Sequence, residues 1–136
     1  MSECFLDTNI LIRHFVQDHE DHSPRSTRLI SEVYAGNQVV HISETVVFET
    51  VFTLGSRYKV PRTEISSVMA EFISSSSVKC PRKPELIATL DLWVAEGSLS
   101  FADCYHLVLA KSLGLSRIYS FDKKMNRYPG VSRVEP

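Results

Sequence analysis

The sequence predicts an α/β domain of three layers, a mostly parallel central sheet flanked by helices. Short β-rich runs alternate with amphipathic helical segments, and that alternation builds parallel sheets covered by helices. At 136 residues the chain suits a single domain, 1–136, with one core. No internal repeat, low-complexity tract or linker interrupts it.

The elements follow in order. Residues 3–6 (Glu-Cys-Phe-Leu) form a first strand. A helix starts at Thr8, with Ile10, Leu11 and Phe15 at roughly helical spacing. Residues 17–22 are polar and read as a loop. Ser23-Pro24 marks the next helix, with Ser as N-cap and Pro at the first helical position. Leu29, Ile30 and Val33 supply its apolar stripe, and Gly36 stops it. Residues 39–42 (Val-Val-His-Ile) are a second strand. Ser43 caps a long helix reaching about Tyr58. Pro61 opens another, where Ile65, Val68, Met69, Phe72 and Ile73 follow the i, i+3, i+4, i+7, i+8 pattern. The serines at 74–77 break it, and residues 78–80 form a third strand. A helix from about Pro84 carries Leu86, Ile87, Leu90, Trp93 and Val94, and ends at Gly97. Ser100 caps the next, which ends at Gly114. A strand at 118–121, a Lys-rich turn and a strand at 132–135 complete the chain.

Composition excludes several classes. Hydrophobic residues make up 43% and charged residues 23%, which is ordinary for a soluble globular protein. No run is apolar enough to span a bilayer, and a strand begins at once where a signal peptide would stand, so a cytoplasmic protein without membrane attachment is expected. Cys4, Cys80 and Cys104 are odd in number and lack C-x-x-C spacing, which argues against a zinc ribbon or a redox dithiol. Net charge is −1, so the whole molecule is no polyanion binder. Between residues 111 and 133, however, Lys111, Arg117, Lys123, Lys124, Arg127 and Arg133 face the single acid Asp122, a basic rim suited to a phosphate backbone.

Four carboxylates carry the chemistry. Asp7 follows the first strand, Glu49 interrupts the apolar run Val46-Val47-Phe48 … Val51-Phe52, Asp103 stands in the first turn after Ser100, and Asp122 ends the strand before the Lys-rich turn. Each has a structural explanation. Asp7 can cap its helix, Asp103 can complete a capping box with Ser100, and Asp122 fits turn chemistry. Glu49 has Val46, Phe52 and Thr53 as helical neighbours, so it shares an apolar face, where a charge needs a partner, unless a tilt of the helix exposes it at the rim. In parallel sheets, ligands bind beyond the carboxyl ends of strands, and Asp7 and Asp122 both lie there. Clustered acids repel one another unless a cation sits among them, and an all-oxygen site suits Mg²⁺ or Mn²⁺. The stretch Asp18-His19-Glu20-Asp21-His22 looks like a metal cluster but lacks a rigid helix to hold it, and reads as a solvated loop.

In this order the motifs resemble those of PIN-domain ribonucleases, specifically the VapC-type toxins of type II toxin–antitoxin pairs. The matching pieces are Phe5-Leu6-Asp7-Thr8-Asn9-Ile10-Leu11, Ile42-Ser43-Glu44 … Phe48-Glu49-Thr50-Val51, Phe101-Ala102-Asp103 and Tyr119-Ser120-Phe121-Asp122-Lys123-Lys124. The resemblance implies a Mg²⁺- or Mn²⁺-dependent endoribonuclease with Asp7, Glu49, Asp103 and Asp122 as its metal and catalytic acids. It implies Asn9 and Ser120 as polar residues near the site, with Thr8 expected to support them, and from the basic rim Lys123, Lys124 and Arg127 are expected to contact the RNA backbone. Ser120 stands where relatives commonly have Thr. Ser100 stands where many have a further acid. A cognate antitoxin and a homodimer are also implied, with the segment from Pro61 to Ile73 and the helix up to Trp93 as interface. The alternative is a non-catalytic PIN-like module that binds RNA or protein.

Overall fold

The computed structural model describes residues 2–136, in two compact units divided between Lys83 and Pro84. The first contains β1 (Glu3–Phe5), α1 (Thr8–Val16), α2 (His22–Tyr34), β2 (Val39–His41), α3 (Glu44–Ser56), α4 (Arg62–Ser74) and β3 (Val78–Lys79). Its strands pair in parallel in the order β1-β2-β3, with Phe5 opposite His41 and His41 opposite Lys79. Leu11, Ile30, Val33, Val47, Ile65, Met69, Phe72 and Ile73 are fully buried. Truncating a buried Phe such as Phe72 to Ala costs about 3–5 kcal/mol.

The second unit contains α5 (Lys83–Ala95, entered from the last residue of the first unit), α6 (Phe101–Ser112), β4 (Arg117–Tyr119), a 3₁₀ turn (Lys123–Arg127) and β5 (Ser132–Val134). β4 and β5 pair in parallel, Ile118 opposite Arg133. Leu86, Leu90, Leu99, Cys104 and Leu107 are fully buried, and Trp93 meets Phe101 edge to ring at 5.7 Å. Parallel pairing throughout and helices between the strands give the α/β class that the alternating pattern predicts.

Local chemistry sets most boundaries. Ser43 Oγ accepts from the Val46 amide at 3.2 Å and starts α3. Gly36 adopts φ +83, a left-handed conformation that costs glycine little, directly after α2. Three expectations need correction. First, α2 begins at His22, not after Ser23. His19 Nδ1 accepts the backbone N–H groups of Asp21 (3.3 Å) and His22 (2.9 Å), so an imidazole satisfies the helix start. The Ser23 hydroxyl instead accepts the His19 amide at 3.2 Å. His19 and His22 stack at 3.8 Å and serve this turn.

Second, Glu49 does not face a core. The buried stripe of α3 is Val46, Val47, Thr50, Val51 and Leu54, which leaves Glu49 and Phe52 exposed, the latter at 73%. Third, the apolar stripe of α4 is turned inward, with Ile65, Met69, Phe72 and Ile73 fully buried and Trp93 of α5 buried as well. Those side chains do not make an exposed docking face.

Candidate active site

In the first unit, the ladder between β1 and β2 extends one step beyond the strand, because the Leu6 amide donates to the His41 carbonyl at 2.9 Å. The chain then turns at Asp7 into α1. Asp7 is exposed, and its Oδ1 accepts the Thr8 amide at 2.9 Å, so the cap expected of this residue is made. Thr8 is buried, and its Oγ1 lacks a hydrogen-bond partner among the described residues. Asn9 is exposed. β2 ends at the same edge, where Ser43 starts α3, and Glu49 projects into solvent from the second turn of that helix. Asp7 therefore stands beyond the carboxyl end of a parallel strand, where α/β sheets place ligands.

In the second unit, Ser100 and Asp103 form the expected capping box. Ser100 Oγ accepts the Asp103 amide at 3.1 Å, and Asp103 Oδ2 accepts the Ser100 amide at 3.4 Å. Asp122 lies beyond the carboxyl end of β4. Its amide donates to Ser120 Oγ at 3.0 Å, and its Oδ1 accepts the Lys124 amide at 3.0 Å, which starts the 3₁₀ turn. Arg127 Nη1 donates to Ser98 Oγ, tying that turn to the segment that leads into α6.

Each unit supplies two of the four acids, Asp7 with Glu49 and Asp103 with Asp122. Within either unit, among the described residues, no three His, Cys, Asp or Glu side chains converge on a position for a metal ion. The donor chemistry nevertheless fits a hard divalent cation, since all four groups offer carboxylate oxygen and no thiolate or imidazole. In each capping Asp only one oxygen bonds the backbone. Cys4 is a free, exposed thiol, whereas the other two offer no competing chemistry. Burial, with Glu44 nearby, pushes Cys80 up to about 11, which leaves it protonated at neutral pH, and Cys104 is fully buried.

Lys123 and Lys124 are exposed, as the expected RNA contacts must be, with Lys124 Nζ 3.9 Å from Asp122 Oδ2. Arg127 is exposed too, although its guanidinium is engaged by Ser98. Sequence reasoning took Arg133 only as one member of the basic rim. The structure places its guanidinium against the Ser120 carbonyl at 3.0 Å with 12% of the side chain exposed, and its backbone N–H on Asn126 Oδ1 at 3.0 Å. Nothing in the spacing of Ser120, Asn126 and Arg133 announces that contact.

An α/β chain with acids beyond the ends of parallel strands is one the PIN domain family accounts for. The model of that family matches residues 4–131, through both units, and the chain belongs to the PIN domain family. Among relatives, a VapC ribonuclease of Aquifex aeolicus (strain VF5) is 24% identical over 131 residues, covering 96% of this chain and 95% of that protein. Among solved structures, the sarcin–ricin loop cleaving toxin VapC20 of Mycobacterium tuberculosis is similar at 21% identity, with a TM-score of 0.41 and coverage of 99% of this chain and 100% of that one.

Proposed function

We propose that the protein is a metal-dependent endoribonuclease, the toxin of a type II toxin–antitoxin pair. One observation carries the reading: in a PIN-family chain, Asp7 and Asp122 stand directly beyond the carboxyl ends of parallel strands. The similarity to a VapC ribonuclease supports RNA as the substrate. The same reading takes residues 1–136 as one nuclease domain, because the family match runs unbroken across both units.

In this site Asp7, Glu49 and Asp103 would hold Mg²⁺ or Mn²⁺, and Asp122 would hold a second ion or orient the attacking water. The bound ion supplies Lewis acidity toward the scissile phosphate and makes its water a better nucleophile. Thr8, Asn9 and Ser120 support the acids, and Ser120 does so through its hydrogen bond from the Asp122 amide. Lys123, Lys124 and Arg127 hold the RNA backbone, which positions the strand without reading its sequence.

The purified protein is expected to cleave RNA with Mg²⁺ or Mn²⁺ and to stop when EDTA is added. Replacing Lys123 and Lys124 together by Ala should weaken RNA binding and flatten its salt dependence by about 0.7 per lost phosphate contact. RNA binding without cleavage under either ion would instead establish the non-catalytic alternative.

The partners in this reading are a cognate antitoxin and a second copy of the chain. Val46 and Val47 are buried and cannot anchor an antitoxin tail, but Phe52 is exposed on the same helix as Glu49. An apolar residue of the tail would rest on Phe52, and a tail Arg would pair with the acids in place of the metal charge. Among the described residues no helix is long and apolar enough to cross a membrane. With three free cysteines, the reading places the protein in the cytoplasm. Sedimentation should show a dimer alone and a larger complex with the product of the adjacent reading frame. Unchanged inhibition after every tail Arg is replaced would rule out charge substitution.

A further inference from the structure

Arg133 is an unusual residue to find largely enclosed on a strand. Burying a guanidinium is costly unless its donors are matched. Here Nη1 donates to the Ser120 carbonyl at 3.0 Å and lies 3.4 Å from Glu135 Oε2. Nε is buried without a partner among the described residues, so the group is not poised to receive a phosphate on that side.

The contacts around it form a fastened loop. β5 holds the backbone of Ser120 on both sides. The Ser120 amide donates to the Val134 carbonyl at 3.0 Å, and the Ser120 carbonyl accepts from Arg133. Ser120 Oγ then accepts the Asp122 amide, and Asp122 Oδ1 accepts the Lys124 amide, each at 3.0 Å. The far end of the loop returns to the same residue, since the Arg133 amide donates to Asn126 Oδ1 at 3.0 Å. Side chain and backbone of Arg133 therefore grip residues 120 and 126, and Asp122 lies between those grips.

We infer that Arg133 is a positioning residue for Asp122, acting through Ser120, with Asn126 closing the other end of the loop. The catalytic consequence rests on the nuclease reading above; the clamp itself does not. The clamp fixes the direction of the Asp122 carboxylate, and a misdirected catalytic group lowers turnover more than it lowers substrate binding.

The test combines amide hydrogen exchange with RNA cleavage kinetics on the full chain, for wild type, Arg133→Ala, Arg133→Lys and Asn126→Ala. In Arg133→Ala, exchange at the Asp122 and Lys124 amides should accelerate about tenfold or more while interior amides of α5 and α6 keep their protection. kcat should fall about tenfold or more with KM within about twofold of wild type. Arg133→Lys, which keeps one donor for the Ser120 carbonyl, should recover most of both effects. Unchanged exchange at Asp122 and Lys124 in folded Arg133→Ala overturns the clamp. A raised KM with unchanged kcat overturns it as well, and makes Arg133 an RNA contact. Should Arg133→Ala fail to fold, Asn126→Ala decides: faster exchange at Lys124 upholds the clamp and unchanged exchange overturns it. Faster exchange in the variants beside a wild type inert toward RNA upholds the clamp and overturns the nuclease reading instead.

Discussion

Asp7→Asn is expected to abolish RNA cleavage while leaving the melting temperature unchanged or raised. Asp7 has two separable duties. Its Oδ1 caps α1 through the Thr8 amide, and Asn caps a helix as well as Asp does, so the fold keeps that bond. Its charge belongs to the proposed metal site, and Asn cannot supply that charge. Removing one member of a catalytic unit typically lowers turnover by on the order of 10³-fold or more. If the acids of the proposed site share it without a cation, one fewer negative charge relieves their repulsion, which sets the sign of any change in stability. Asp7→Ala makes a useful contrast, because it also loses the cap and should cost about 1 kcal/mol. Thermal melts and a cleavage assay on both variants read the two duties apart. Full activity in Asp7→Asn would remove Asp7 from the site.

Mg²⁺ or Mn²⁺ is expected to raise the melting temperature of the wild type, and Asp103→Ala to cancel that rise. An ion that binds only the folded state stabilises it by about 2.7 kcal/mol at 100 times its Kd, on the order of 10 °C for a chain of this size. Asp103→Ala also breaks the capping box with Ser100, at a cost of about 0.5–2 kcal/mol whether or not metal is present. The informative quantity is therefore the metal-induced shift within each protein, not the melting temperature of the variant. A shift that survives in Asp103→Ala would make this residue a cap and nothing more.

How far such features can be read from sequence depends on the range of the interaction behind them. Ser43, Ser100, Asp7 and Gly36 act on backbone groups a few residues away, and their roles follow from the chain itself. The start of α2 misled because a Ser-Pro pair is a common helix opening, whereas here an imidazole three residues earlier accepts the amides. Glu49 left two settings open, core-facing or exposed at a rim, for a different reason. Its helical neighbours are correctly read as Val46, Phe52 and Thr53, but which side of α3 turns inward is decided by packing. Phe52, apolar by type, ends up outside. The apolar spacing of α4 announced its stripe, and packing then turned that stripe into core. The acids are legible as an ordered set of motifs. The support beneath Asp122 is not, since Arg133 reaches back to Ser120, thirteen positions earlier in the chain.

The three aspartates share a habit with a bearing on ion selectivity. Asp7, Asp103 and Asp122 each have one carboxylate oxygen tied to a backbone amide, of Thr8, Ser100 and Lys124 respectively. Each carboxylate is thus oriented by its own helix or turn, with one oxygen free of a backbone bond and the other already sharing a lone pair with an amide. Calcium is best held by six to eight oxygens at 2.3–2.6 Å, often with a carboxylate chelating through both atoms. Magnesium takes six at 2.0–2.1 Å, keeps several waters and is content with single-oxygen contacts. In the proposed site, the fold's own amides therefore disfavour the larger ion, and the melts described above, repeated with Ca²⁺ at the same concentration, should show a smaller rise than with Mg²⁺.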